Sequence, residues 1–350
     1  MSYFRPNIQA MTGYQPGEQP PAGVKVIKLN TNENPYPPSP DAVRSLREVL
    51  PESLRRYPDP CAKHACRAIS RVFGFPEEWI IAGNGSDEIL SIAFRACAEP
   101  GRPVAYPVPT YVLYRTLAEI QNAPVIEVSF DDEYNLPLEK LVAARGAVTL
   151  IASPNSPSGN SFPVPLLDEL ALQAPGIVVI DEAYVDFAHG NALDLVRKRG
   201  NVLVLRTLSK GYSLAGLRFG FGLAQPGLIE GLMKVKDSYN IDAAVIAAAA
   251  AAIEDQSHKN ANAEKVIRSR AMLAEDLSRL GFRVWPSQSN FLLVRPPAGD
   301  AQRLYLGLKA GGILVRWFNQ TGLQDKLRIT VGTDEQNNIL IENLSRLLHI

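Results

Sequence analysis

Cysteine and histidine are scarce: Cys61, Cys66 and Cys97 are the only thiols and His64, His189, His258 and His349 the only imidazoles in 350 residues. An odd cysteine count without C-x-x-C spacing argues against a disulfide framework, and the scattered histidines offer no zinc-ligand pattern. No metal is expected. An excess of one charge is also missing, because 36 Lys plus Arg balance 36 Asp plus Glu. No net field therefore favours nucleic acid or an anionic membrane surface, and any bound anion must be held by a local site. Long apolar runs are absent: no segment approaches the roughly eighteen uninterrupted apolar residues of a membrane span. The N-terminal stretch MSYFRPNIQAMTGYQPGEQ lacks a basic region followed by an apolar one. These absences lead to the expectation of a soluble, cytoplasmic protein.

What is present is an ordinary globular composition, 46% hydrophobic and 21% charged, in a chain long enough for one large and one smaller domain. The first forty residues are rich in Pro and Gly and end in LNTNENPYPPSP; proline removes donors and restricts its predecessor, so an arm rather than a long helix is expected. From there to about 225, the runs WIIAG, PVAYP, APVIEVSF, AVTLIASP, GIVVIDEAY, NVLVLRTLS and LRFGFGLA read as strands. Between them SDEILSIAFRACAEPG, PTYVLYRTLAEIQNA and VPLLDELALQAPG carry helical spacing. Such alternation predicts an α/β fold with a mostly parallel sheet covered on both faces. Residues 226–280 read as helical, and after Gly281 the pattern strand, helix, strand, strand, helix predicts a smaller α/β domain. The expected division is an arm over 1–40, a large domain over 41–255 and a small domain over 256–350 completed by the arm.

In open α/β sheets ligands bind beyond the carboxyl ends of the strands. Four polar segments follow apolar runs: GNGSDE (83–88), SPNSPSG (153–159), DEAY (181–184) and LSKGYSLAGLRFG (208–220). The first joins a strand to a helix opening at Ser86, where a glycine-rich turn leaves backbone N–H groups facing an anion. It is not a dinucleotide fingerprint, since G-x-G-x-x-G fails at Glu88, and no G-x-x-x-x-G-K-[ST] excuses reading Asp181 as a P-loop magnesium ligand. A carboxylate at Asp181, after GIVVI, is costly unless paired or hydrogen-bonded; it could also simply cap a turn. Lys210, Ser209 and Arg218 place an amine, a hydroxyl and a guanidinium at one strand end, a set suited to a phosphorylated carbonyl compound such as pyridoxal 5'-phosphate (PLP).

Together GNGSDE, PTY, SPNSPSG, DEAY, LSKGYSLAGLRFG and LRITVGT resemble the PLP-dependent aminotransferases of fold type I, from LNTNENP near position 30 to VGT near 332. The resemblance implies that Lys210 bonds the cofactor and shuttles the substrate proton, that Asp181 pairs with the pyridine nitrogen, and that Tyr184 meets the phenolic oxygen. It implies further that Tyr111 stacks on the ring and that Ser86 and Asp87 N–H groups, Ser209 and Arg218 hold the phosphate. A tyrosine matching Tyr57 reaches that phosphate from the other subunit, which implies a homodimer. Arg328 matches the substrate-anion arginine, Arg316 and Tyr14 lie on the substrate's phosphate side, and Asn32 lies near the substrate.

The motifs LNTNENPYPPSP, RRYPDP and LRTLSKGYSLAGLR imply a subgroup within the family. Its single anion clamp takes glutamate's α-carboxylate in one half of a ping-pong reaction and the phosphate of histidinol phosphate in the other, a step of histidine biosynthesis that a planar bidentate donor suits. Aromatic amino-acid transamination and phosphothreonine decarboxylation remain alternatives within the fold. A PLP-sensing regulator is disfavoured by the short arm and neutral charge. One departure stands out: the family motif P-N-N-P-T-G has a second Asn at the phenolic oxygen, where this chain has Ser156 after Asn155. Either Ser156 supplies a shorter donor, directly or through water, or Asn155 swings in; Asn155 is kept among the expected cofactor contacts.

Overall fold

A computed structural model describes residues 2–13, 18–20, 23 and 25–349. The arm contributes a five-residue helix, Pro6–Ala10, and a short strand, β1 (Ile27–Lys28). Seven strands then build the central sheet: β2 (Ile80–Gly83), β3 (Val104–Val108), β4 (Val125–Ser129), β5 (Val148–Ala152), β6 (Ile177–Asp181), β7 (Val202–Thr207) and β8 (Gly220–Leu223). Their spatial order is β2-β8-β7-β6-β5-β3-β4. Period-two alternation divides the apolar runs between two cores. Ile151, Val178, Ile180, Val202 and Val204 face one, while Leu150, Val179, Leu203 and Leu205 face the other. Both faces are buried, which is why these strands read as unbroken apolar runs.

The sheet is parallel except at β8, which runs antiparallel to both β7 and β2. The cause lies in the connection. Between β7 and β8 the chain makes only a 3-10 turn at Ala215–Leu217, with no crossover helix of the kind a parallel return requires. The Ala-rich helix Ala243–Glu254, N-capped by Asp242, packs against the helices Pro40–Arg47 and Lys63–Phe73. Its small side chains permit the close approach.

The long helix Gln256–Arg279 leads into a second sheet made of β9 (Arg283–Val284), β10 (Phe291–Arg295), and, after the helix Ala301–Ala310 and β11 (Ile313–Leu314), of β12 (Arg316–Trp317) and β13 (Leu327–Thr330). It is antiparallel, in the order β12-β13-β10-β9. The run ILVRWF, expected as one strand, is two: Ile313 and Leu314 pair in parallel with Ile27 and Lys28 of the arm, whereas Arg316 and Trp317 pair with β13. Val315, buried between them, marks the change of partner. Through β1 the arm is joined to this C-terminal region, and its next residues, Asn30 to Asn34, run back toward the central sheet. Among the described residues no helix is long and apolar enough to cross a membrane.

Candidate active site

Because β2, β3, β5, β6 and β7 share one direction, the segments leaving their carboxyl ends converge at one edge of the sheet. There they line a cavity of about 280 Å3, closed on the far side by the arm and by β12 and β13. Ser86, Asp87, Tyr111, Asp181, Tyr184, Ser209, Lys210, Arg218, Arg316, Arg328 and Asn32 all face it.

Asp181 ends β6 with 5% of its surface exposed. Its carboxylate accepts hydrogen bonds from the Tyr114 hydroxyl at 2.9 Å and the Ala183 N–H at 3.1 Å. Burial nevertheless pushes its carboxyl up to about 6, against the lowering effect of those two bonds and helped by the nearby charges of Asp87 and Glu182. It has hydrogen bonds but no cationic partner among the described residues, so a cationic ligand group would relieve it. Neighbouring Glu182, equally buried, is satisfied differently, by Arg206 at 2.8 Å.

Lys210 leaves the end of β7, its ammonium donating to the Thr31 carbonyl of the arm at 3.2 Å and lying 5.6 Å from the Tyr184 ring centre. Gly211 follows because a Cβ there would fall 2.2 Å from Asp186 Oδ2. Tyr184 packs edge-on against Phe291 and accepts a hydrogen bond from Asn32 Nδ2 at 2.9 Å.

The anion corner is built by close backbone approach. Gly85, at φ +78°, precedes the helix Ser86–Cys97, and a Cβ on it would meet the Arg218 guanidinium at 2.6 Å. Gly220 must likewise be bare, since its Cβ would lie 2.3 Å from the Ser86 nitrogen. Arg218 donates to Ser209 Oγ at 3.1 Å and pairs with Asp87 at 3.4 Å, while the Tyr111 hydroxyl donates to the other Asp87 oxygen at 3.2 Å. Since Ser209 Oγ accepts from Arg218, its own proton is left to be donated. The helix start, hydroxyl and guanidinium can together receive a phosphate.

A second cationic place lies on the opposite wall. Arg316 and Arg328 are register partners on β12 and β13, and both guanidinium groups lie over the Phe318 ring, at 5.4 and 5.7 Å. Arg328 is further held by the Asn30 carbonyl at 2.8 Å and by Ser156 Oγ at 3.0 Å.

Asn155, expected as a cofactor contact, does not line the cavity. Its side chain is fully buried, accepts from Thr110 Oγ1 at 2.7 Å, and donates to the Pro109 carbonyl and Ser158 Oγ. Those bonds consume it in holding the turn, and Ser156 is the residue that faces the cavity. Tyr57 does not line the cavity of its own chain; it is 82% exposed and stacks on Tyr239 with ring centres 4.6 Å apart. Tyr14 lies outside the described residues. Sequence reading missed Tyr114, whose only signal is its place three residues after Tyr111, in the first turn of the helix Leu113–Ile120, and the backbone carbonyls of Asn30 and Thr31, which leave no signal in residue type.

The model of the family described as aminotransferase class I and II matches residues 24–344. The chain is 59% identical over 347 residues to histidinol-phosphate aminotransferase 1 of Trichormus variabilis, covering 99% of each. It is 42% identical to histidinol-phosphate aminotransferase of Geobacter sulfurreducens, covering 98% of this chain and 99% of that one. The crystal structure of histidinol-phosphate aminotransferase from Sinorhizobium meliloti in complex with pyridoxal-5'-phosphate superposes with a TM-score of 0.91 at 26% identity, over 100% of this chain and 98% of that one. With a family match over most of its length and relatives at up to 59% identity, the chain belongs to the class I and II aminotransferases.

Proposed function

We propose that this chain is a PLP-dependent histidinol-phosphate aminotransferase, interconverting histidinol phosphate and 2-oxoglutarate with imidazole acetol phosphate and glutamate. One observation carries the reading: a single cavity holds an amine, a buried carboxylate without a cation, one guanidinium corner at a helix start and a second guanidinium pair on the facing wall. The relatives named for this activity, at 42 to 59% identity over nearly the whole chain, support the substrate.

The donor set fits PLP group by group. Lys210 suits its aldehyde, Asp181 its pyridine nitrogen, Tyr184 its phenolic oxygen, Tyr111 its ring face, and Ser86, Asp87, Ser209 and Arg218 its phosphate. When bound, PLP supplies an electron sink that acidifies the substrate Cα–H. Asp181 would hold the proton of the ring nitrogen and so meet a cation that it lacks among the described residues. With PLP bound, Lys210 would be placed to take the proton from the substrate Cα and to hand it back during the exchange. Arg328 and Arg316 hold the substrate anion, a carboxylate or a phosphate, so that one pocket serves both halves of a ping-pong cycle.

Exposed Leu46, Leu50, Leu54, Tyr57 and Tyr239 support a homodimer in which Tyr57 completes the partner's phosphate corner. A soluble, cytoplasmic setting is part of the same proposal. The deciding experiment is a donor screen of the PLP-loaded protein with 2-oxoglutarate. Histidinol phosphate should be the fastest donor; phenylalanine or tyrosine reacting far faster would overturn the substrate, and phosphothreonine losing carbon dioxide would overturn the reaction.

A further inference from the structure

Asn32 occupies a position that its residue type alone does not explain. It is 1% exposed and holds a left-handed backbone, φ 58°, that Asn tolerates and most side chains do not. Every polar group it has is used. Its N–H donates to Thr330 Oγ1 at 3.0 Å, and the Thr330 hydroxyl, buried at the end of β13, returns its proton to Asn32 Oδ1 at 3.0 Å. Its carbonyl accepts from Asn290 Nδ2 at 3.0 Å. With Oδ1 taken by Thr330, the amide can point only Nδ2 at the Tyr184 oxygen, which it meets at 2.9 Å. A phenol that accepts at its oxygen must send its own proton elsewhere, and the open direction is the cavity.

We propose that Asn32 is a positioning residue that fixes the direction of the Tyr184 proton, making Tyr184 an obligate donor into the cavity. The proposal rests on the reading of Tyr184 as the contact to the PLP phenolic oxygen. It also gives the arm a function. Asn32 is held by Thr330, which ends β13, and by Asn290, which precedes β10, both of the second sheet's side, while Tyr184 follows β6 of the first, so the polarity of the donor depends on the arm lying between them. The charged groups around Tyr184 are Lys210 beside its ring, Asp181 three residues before it, and Arg328 on the Phe291 ring against which it packs. None of them accepts from its hydroxyl among the described residues.

A donor to the phenolic oxygen stabilises the ionised chromophore, so losing it raises the pH midpoint of the visible absorption change. The PLP-loaded wild type, Tyr184→Phe, Asn32→Asp, Asn32→Gly and the two double variants are titrated by absorbance. Tyr184→Phe should raise the midpoint by about one pH unit or more. Asn32→Asp, which puts an acceptor where Nδ2 stood, should raise it by a similar amount, and Asn32→Gly, which accepts the same φ and removes only the amide, by less. In the Tyr184→Phe background both further shifts should largely vanish, leaving for Asp only the direct effect of its charge. If Asn32→Asp misfolds, the glycine variant decides alone. Equal shifts in both backgrounds, or no shift where Tyr184→Phe gives one, would overturn the positioning role and leave the PLP contact standing. No shift from Tyr184→Phe itself would remove both.

Discussion

The Tyr114 hydroxyl donates to Asp181 Oδ2 at 2.9 Å in a place where both side chains are buried. A phenol and a backbone N–H satisfy that carboxylate's lone pairs without neutralising its charge, so the apo-protein carries a cost that a bound cation removes. On the proposed reading, stability is given up where the cofactor nitrogen would sit.

The cost has a pH signature. Asp181 is raised from 3.8 to about 6 in the folded chain, so its contribution to stability is complete below 3.8 and is lost as pH rises through about 6. That difference corresponds to about 3 kcal/mol. Apo Asp181→Asn should therefore melt a few degrees above apo wild type near about pH 8, with the gap closing toward about pH 4. The same variant should bind PLP more weakly and transaminate about a hundredfold more slowly or worse. Calorimetry of both apo-proteins across pH checks the first claim; a gap that does not change with pH would show that folding leaves the Asp181 carboxyl at its ordinary value.

Lys210 is the one lysine lining the cavity among the described residues, parked on the Thr31 carbonyl. Borohydride added to the PLP-loaded protein should fix the cofactor to Lys210, located by peptide mass. Lys210→Ala should lose both this bond and the proton carrier, reducing turnover by about 10^3-fold or more. Label on any other lysine would remove the assignment.

Much of this was legible because chemistry and fold write to the same positions. Apolar runs gave β5, β6 and β7 since both faces are buried; Asp181, ending β6, stands out because a carboxylate there is costly, and Lys210 because it follows β7 in the company of Ser209 and Arg218. Two kinds of feature were not legible. The antiparallel β8 depends on what the connection omits, and the division of the run 313–318 depends on a partner strand nearly three hundred residues away in the arm. The division of roles between Asn155 and Ser156 was hidden for a related reason. Ser156 lines the cavity and the adjacent Asn155 does not, and only the hydrogen bonds to Thr110, Pro109 and Ser158 show which one is spent on structure.

Tyr57 tests the assembly. Exposed on its own chain and absent from its own cavity, it completes a site only if a second copy is present. Mixing Tyr57→Phe with Lys210→Ala chains should produce heterodimers having one site with both native groups, and activity above that of either parent. Sedimentation should give a dimer at assay concentrations. An active monomer would refute the composite site.

If the two arginines of the far wall bind the substrate as proposed, their neighbours say how they divide the work. Arg328 is aimed by two fixed acceptors, the Asn30 carbonyl and Ser156 Oγ, whereas Arg316 rests over Phe318. A pre-aimed guanidinium suits the anion common to both half-reactions. A charge-assisted contact contributes about 1.5–3 kcal/mol, so Arg328→Ala should raise KM for glutamate and histidinol phosphate alike by roughly tenfold or more. Arg316→Ala should penalise histidinol phosphate more than glutamate, because a dianionic phosphate uses a second cation that a carboxylate does not need. Ser156→Ala removes one of the two acceptors that aim Arg328 and should cost both substrates about two- to fivefold, within the range of a single neutral acceptor. Steady-state kinetics of the three variants with both donors separates these cases. If Ser156→Ala instead impairs turnover and leaves both KM values alone, the hydroxyl serves the cofactor rather than the arginine.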